Sequence, residues 1–313
     1  MSIITAFVFP GQGSQSVGML AEIAKQYRVI EATFKEASDI LGYDLWKLVQ
    51  EGPKEQLDQT DKTQPAILTA SVALWRLWRQ QTDILPSYVA GHSLGEYSAL
   101  VAAESLTFVE AVKLVELRGQ LMQKAVPVGQ GAMAAILGLT DEDVKSVCNE
   151  AAQGQVVSAV NFNAPGQVVI AGNTEAVHRA IDLCKAKGAK RAIPLPVSVP
   201  SHCELMRPAA EEFATALTTA SWKNPNIAIV QNVTADVSRD LQTLKENLLA
   251  QLYKPVRWVE SMQILAKLGV TALVECGPGK VLCGLNKRCI KEVETFTLDS
   301  SESFNNTLNV LQK

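Results

Sequence analysis

Long apolar runs are missing from this sequence of 313 residues. No stretch approaches the roughly 20 consecutive apolar residues that a membrane-spanning helix needs. The opening SIITAFVFP has neither the basic onset nor the extended apolar core of a secretory signal. Those two lacks predict a cytoplasmic protein with no membrane partner. An excess of positive charge is missing too, the formal net charge being −3, so no global basic field draws the chain to nucleic acid. Its six cysteines, Cys148, Cys184, Cys203, Cys276, Cys283 and Cys289, contain no CxxC pair, which argues against a zinc site and against a disulfide scaffold. With three histidines and no HExxH, neither a catalytic metal nor another cofactor is expected. Aromatic residues make up only 6% of a chain that is 47% hydrophobic. Small aliphatic residues must therefore fill the core, which suits helices packed on a mostly parallel sheet better than a β-sandwich.

The pattern along the chain agrees with an α/β class. ITAFVFP reads as a short buried strand running into the glycine-rich turn PGQGSQSVGM. A helix is predicted over Ala66 to Gln81, where apolar residues recur at three and four spacing. SYVAGH reads as a second buried strand, SLGEYSALVAAESL returns to helical periodicity, and a further helix containing Arg118 starts after Thr107 as its cap. Between about 128 and 196 the order becomes βαββαβ, the ferredoxin-like arrangement. Residues 128–196 are thus expected to form a subdomain inserted into a core built from 1–127 and 197–313. Beyond it lie a helix in HCELMRPAAEEFATAL, a strand in NIAIVQNV, helices over 240–252 and 257–268, and the strand TALVEC before GPGK.

One short stretch carries chemistry. GHSLGE, Gly91 to Glu96, satisfies GxSxG where a buried strand gives way to a helix, the setting in which such a serine is lifted above the sheet on a strained turn. The other reading is a serine between two glycines where the chain bends. A serine hydroxyl attacks only if a base removes its proton and donors receive the charge that develops on the carbonyl oxygen. The Leu94 amide, at the start of the helix, is the natural first donor. For the base, His92 is the neighbour of Ser93 and should leave the turn in another direction, and His178 lies on a helix face best read as solvated. His202, in the proline-marked loop VPSHCELM ahead of a helix, is the candidate. Acids between Ser93 and His202 fall mainly in helical runs, so a carbonyl oxygen rather than an aspartate is expected to hold the ring.

Seven ordered motifs, FPGQGSQ, GHSLGE, ELRGQLM, NAPGQVVIAG, VPSH, QLYKPVRW and ECGPGKVL, span nearly the whole chain. Together they resemble the malonyl-CoA:acyl carrier protein transacylases of bacterial type II fatty acid synthesis. The resemblance implies an α/β-hydrolase-like core with a parallel sheet and an inserted ferredoxin-like subdomain. It implies an acyl-serine on Ser93, His202 as base and acid, and oxyanion donors at the amides of Gln12 and Leu94. It further implies Arg118 as the clamp for the malonyl carboxylate and the Gln251 carbonyl as the group orienting the histidine. Malonyl-CoA and the phosphopantetheine-bearing carrier protein are the implied partners, and a monomer is the simplest expectation. Physically, a guanidinium offers a rigid fork for a carboxylate. An acetyl group would strand that buried charge, at a cost of about 3 to 5 kcal/mol.

Other readings stay open at this point. A serine thioesterase would use the same two residues, a non-catalytic acyl-CoA-binding module would keep the fold, and a polyketide or substituted-malonyl acyltransferase would differ only in pocket and context. GQGSQSVG superficially matches a dinucleotide fingerprint, but Ser16 stands where the third glycine belongs. The basic segments Lys187 to Arg191 and Lys280 to Lys291 are candidates for meeting an acidic carrier.

Overall fold

The computed structural model describes residues 3–197 and 199–312. Among them ten strands run in chain order: β1 (Thr5–Phe9), β2 (Tyr88–Gly91), β3 (Gly131–Leu137), β4 (Val157–Ala164), β5 (Gln167–Asn173), β6 (Arg191–Pro194), β7 (Ala228–Gln231), β8 (Asp236–Ser238), β9 (Ala272–Glu275) and β10 (Glu294–Thr297). Six form one sheet in the order β10-β9-β1-β2-β7-β8, and four form a second in the order β4-β5-β3-β6.

The larger sheet is parallel from β10 to β7, and only its edge strand β8 runs antiparallel. Its central strand β1, TAFVF, is buried at every position, as expected of a parallel strand covered on both faces. Phe7 packs edge-on against Trp75 and Trp78 at ring separations of 5.6 and 5.3 Å, and Trp78 in turn meets Phe304 at 5.9 Å. Few aromatics are present, yet they are concentrated where one central strand meets the long helix and the last one. Register matters more for function: Phe9 pairs with Gly91 and Val8 with Glu275, so β1, β2 and β9 end side by side. The turns that follow them converge on one edge of the sheet, where parallel α/β sheets bind ligands.

The long helix starts earlier than its periodicity predicts, at Thr60 rather than Ala66, with Pro65 inside it. Tertiary packing overrides the proline. The helix Phe108–Ala125 crosses here through Gly119, where an added Cβ would lie 2.8 Å from the Thr60 carbonyl oxygen and 2.7 Å from the Asp61 Cα. The smaller sheet is antiparallel, with the helices Asp141–Ala152 and Thr174–Ala186 contributing to its own apolar cluster. Backbone hydrogen bonds from Phe162 to the Val256 carbonyl at 3.0 Å and from Val256 to the Val160 carbonyl at 2.8 Å tie β4 to the larger body. Two late elements escape sequence patterning, β10 and the helix Ser301–Leu311, as does the edge strand β8. The two strands are only three or four residues long, too short for an alternation to register.

Candidate active site

Ser93 sits in the turn between β2 and the helix Gly95–Ala102, with φ of 52°. A non-glycine residue adopts this left-handed conformation at a cost of about 1 to 3 kcal/mol and keeps it only where the surroundings enforce it. Here they do. The His92 amide donates to the Phe9 carbonyl at 2.9 Å, and the Ser93 amide donates to Asn232 Oδ1 at 2.7 Å. The flanking glycines are needed for close approach: a Cβ on Gly91 would fall 1.9 Å from the Gly95 carbonyl carbon, and one on Gly95 would fall 2.1 Å from the Phe9 oxygen.

The Ser93 hydroxyl lies 2.8 Å from His202 Nε2, and His202 Nδ1 lies 2.6 Å from the Gln251 carbonyl oxygen. A carbonyl can only accept, so Nδ1 carries the proton and Nε2 is left to accept from the serine. His202 itself has φ of 65°, and its amide is tied to the Leu252 carbonyl at 2.9 Å. Burial, reinforced by the positive charge of Arg118, pushes the His202 pKa down to about 3. The ring is therefore neutral at physiological pH and able to take a proton. His92 turns away to Asn163 Oδ1 at 2.7 Å and packs against Trp258, while His178 is exposed on its helix.

Arg118 is 1% exposed. Its Nη1 donates to Gln64 Oε1 at 2.9 Å, and its Nη2 donates to Gln251 Oε1 at 2.8 Å and to Ser93 Oγ at 3.3 Å. Burial lowers its pKa. Every one of these partners is neutral, so the guanidinium is held in place without a carboxylate on its fork. Among the described residues the buried Nε finds no partner.

Gln12, Ser93, Leu94, Arg118 and His202 line a cavity of about 480 Å³ between the two sheets, whose opposite wall includes Met133, Asn161 and Val169. The Gln12 and Leu94 amides find no acceptor among the described residues. Gln12 and Leu94 thus line the same cavity as the serine with backbone donors that no described residue takes up. Such an arrangement can deprotonate a serine hydroxyl, accept charge on a carbonyl oxygen and bind a carboxylate. All six residues singled out from sequence, Ser93, His202, Gln12, Leu94, Arg118 and Gln251, meet here.

Sequence reasoning missed the amides and the acid behind them. Gln64 comes with the early start of the long helix. Asn232 follows β7, and besides receiving the Ser93 amide it donates Nδ2 to the Gly91 carbonyl at 2.6 Å. The Gln251 side chain is as engaged as its carbonyl: Nε2 donates to the Ser93 carbonyl at 2.9 Å and to Glu96 Oε2. Glu96 was visible as the last letter of GHSLGE, but nothing in the motif said that its carboxyl is buried.

Of the two basic segments, Arg191 begins β6, and Arg288 reaches Gln167 and, at 3.0 Å, the Pro165 carbonyl. Gln167 pairs with Leu137, which pairs with Arg191, so both arginines lie at one end of the smaller sheet. Burial pushes the Cys203 thiol beside His202 up to about 12, which makes it a poor nucleophile. Among the described residues, no group of three His, Cys, Asp or Glu is placed to hold a metal, and no helix is long and apolar enough to cross a membrane.

Comparison with known proteins adds the following. Residues 6–302 match the acyl transferase domain family. The chain is 56% identical over 294 residues to the malonyl CoA-acyl carrier protein transacylase of Salmonella typhimurium, covering 94% of this chain and 95% of that protein. It is 45% identical over 309 residues to that of Bacillus subtilis, covering 98% and 97%. Among solved structures, the acyl carrier protein S-malonyltransferase from Vibrio cholerae superposes with a TM-score of 0.94 at 57% identity, covering 97% and 99%. A malonyl-transacylase solved in complex with its type II PKS acyl-carrier protein superposes with a TM-score of 0.97 at 53% identity, covering 98% and 99%.

Proposed function

The chain belongs to the acyl transferase domain family and, within it, to the malonyl CoA-acyl carrier protein transacylases, and from that premise we propose how its residues divide the work. The enzyme moves malonyl from malonyl-CoA to the phosphopantetheine thiol of acyl carrier protein, supplying fatty acid synthesis in the cytoplasm. It works as a monomer, and residues 128–196 form the inserted subdomain that walls the cavity.

Ser93 Oγ attacks the thioester carbonyl carbon while His202 Nε2 takes its proton, and the Gln251 carbonyl steadies the resulting imidazolium through Nδ1–H. Charge on the carbonyl oxygen falls between the Gln12 and Leu94 amides, where loss of one donor costs about 2.7 to 4 kcal/mol. The tetrahedral species collapses as the C–S bond breaks, and His202 returns its proton to the CoA sulfur. Malonyl then sits as an ester on Ser93. In the second half the carrier thiol gives its proton to His202, its sulfur attacks the ester, and Ser93 Oγ leaves with that proton. Arg118 holds the free carboxylate throughout.

The observation that carries this reading is the fork of Arg118. It stands 3.3 Å from Ser93 Oγ and is held by Gln64 and Gln251 with no carboxylate on it. A charge kept in that state selects an acyl group with a carboxylate at its far end.

Labelled malonyl-CoA offered to the enzyme with holo carrier protein tests the reading. Label is expected on the carrier, with parallel double-reciprocal plots when both substrates are varied, as a ping-pong scheme requires. Free malonate released as fast as CoA, with the carrier present and unloaded, would make the protein a thioesterase instead.

A further inference from the structure

Glu96 is 1% exposed, three residues after Ser93 on the first turn of the helix Gly95–Ala102. Its Oε1 accepts from the Asn232 amide at 2.9 Å, and its Oε2 accepts from Gln251 Nε2. Donor and acceptor roles in this cluster are fixed by groups that work in one direction only. Arg118 Nη2 can only donate, so the Gln251 atom 2.8 Å from it is the oxygen. The Ser93 carbonyl can only accept, so the Gln251 atom 2.9 Å from it is the nitrogen. That nitrogen also faces Glu96, and the other Glu96 oxygen faces a backbone N–H. Both oxygens accept, the arrangement a carboxylate makes. Burial outweighs the pull of the two N–H donors and Arg118 and raises its pKa to about 8; with a donor on each oxygen and no acceptor for a proton, the charged form is the one these partners stabilise.

From this chain of one-way partners we infer that Glu96 is a positioning residue. It fixes the orientation of the Gln251 side-chain amide, and through it aims the Arg118 fork that receives the acyl carboxylate. The inference rests on the reading of Arg118 as that clamp. Glu96 supplies the buried counter-charge for Arg118, and Gln251 keeps that charge one residue away, so the fork stays open to substrate. A carboxylate in direct contact with Arg118 would occupy it, and without an acid the Gln251 amide would be held only by Arg118 and the Ser93 carbonyl.

The variant Glu96→Gln isolates this role because it changes one acceptor into a donor at constant shape. If the introduced amide gives its oxygen to the Asn232 N–H, its NH2 meets Gln251 Nε2. If it turns round, its NH2 meets the Asn232 N–H instead. The first arrangement keeps the serine turn intact and drives the Gln251 amide over, which sets an NH2 against Arg118.

Steady-state kinetics of the variant with malonyl-CoA and acetyl-CoA, with holo carrier protein as acceptor, test this, with Arg118→Ala as the reference. The malonyl-to-acetyl ratio of kcat/KM is expected to fall roughly tenfold or more in Glu96→Gln, the scale of a lost hydrogen bond to a charged group. The loss should reside in KM for malonyl-CoA, while the acetyl rate stays within about twofold. Should Arg118→Ala collapse the ratio and Glu96→Gln leave it unchanged, the inference fails and the clamp stands. Should Arg118→Ala itself leave the ratio unchanged, both fail together. Equal losses on the two substrates in Glu96→Gln would assign Glu96 to the serine turn and also overturn the inference. Gln251→Met, which keeps the carbonyl that holds His202, provides a second route if the first variant does not fold. It should show the same loss of ratio, and an unchanged ratio there contradicts the role.

Discussion

At the scale of single residues, the reaction depends on an imidazole that is neutral when substrate arrives. Burial and the nearby Arg118 charge hold the His202 pKa at about 3, so the basic form persists far below the ordinary histidine value. The sign is plain: lowering the pH from neutral protonates a free histidine but not this one. For malonyl-CoA, kcat/KM reports groups on the free enzyme and is expected to stay level down to about pH 5. An acid limb centred near the usual histidine value of about 6.5 would show that the ring is not shielded as described. Much at this scale was legible. GHSLGE marked Ser93, and three histidines left His202 by elimination. Arg118 was legible only through the resemblance, because an arginine in a helical run looks like any surface cation. Glu96, Gln64 and Asn232 were not legible in their roles. They act on partners far away in sequence, Asn232 on Ser93 and Glu96 on Gln251, and no local periodicity encodes such a contact.

At the scale of elements, the site is the meeting of turns at the ends of adjacent parallel strands. One of those turns carries a device of its own. Glu275, the last residue of β9, accepts from the Leu282 and Cys283 amides at 3.1 and 2.7 Å and so caps the helix Val281–Cys289. The loop it anchors packs Gly277 against Pro10, two residues before Gln12. Replacing Glu275 with alanine is expected to cost about 0.5 to 2 kcal/mol, the range for a lost cap, read as a shift in urea midpoint. Burial pushes the Glu275 pKa up to about 7, against the pull of the capping amides. A carboxyl with a raised pKa holds a proton in the folded state that the unfolded chain has released. Its contribution to stability therefore declines as pH rises from about 4.5 to about 7. That slope should vanish in Glu275→Ala; a variant as stable as the parent with the same slope would mean the cap contributes nothing. Periodicity places the strand TALVEC before GPGK, but does not show that the acid closing that strand is the cap of the helix beyond. The long helix reaches further than its clearest periodicity: Pro65 is a stop signal in isolation, yet the helix starts at Thr60, packs closely on Gly119 and brings Gln64 to Arg118.

At the scale of the whole molecule, two sheets of different kinds share one cavity, with the reactive groups on the parallel side and an apolar and amide wall on the antiparallel side. The α/β class and the βαββαβ order over 128–196 were readable from periodicity and the parallel core from composition, whereas the pairing of β4 with the segment at Val256 was not. Strand partners separated by nearly a hundred residues leave no mark on local composition. The central claim is that this arrangement stores an acyl group on Ser93 and selects it by charge. Intact mass of the protein after brief mixing with malonyl-CoA, or separately with acetyl-CoA, tests that claim most directly. One malonyl adduct on the parent chain, little acetyl adduct, and none of either on Ser93→Ala is the expected result. Consumption of malonyl-CoA with no adduct, or an adduct that persists in Ser93→Ala, would contradict it.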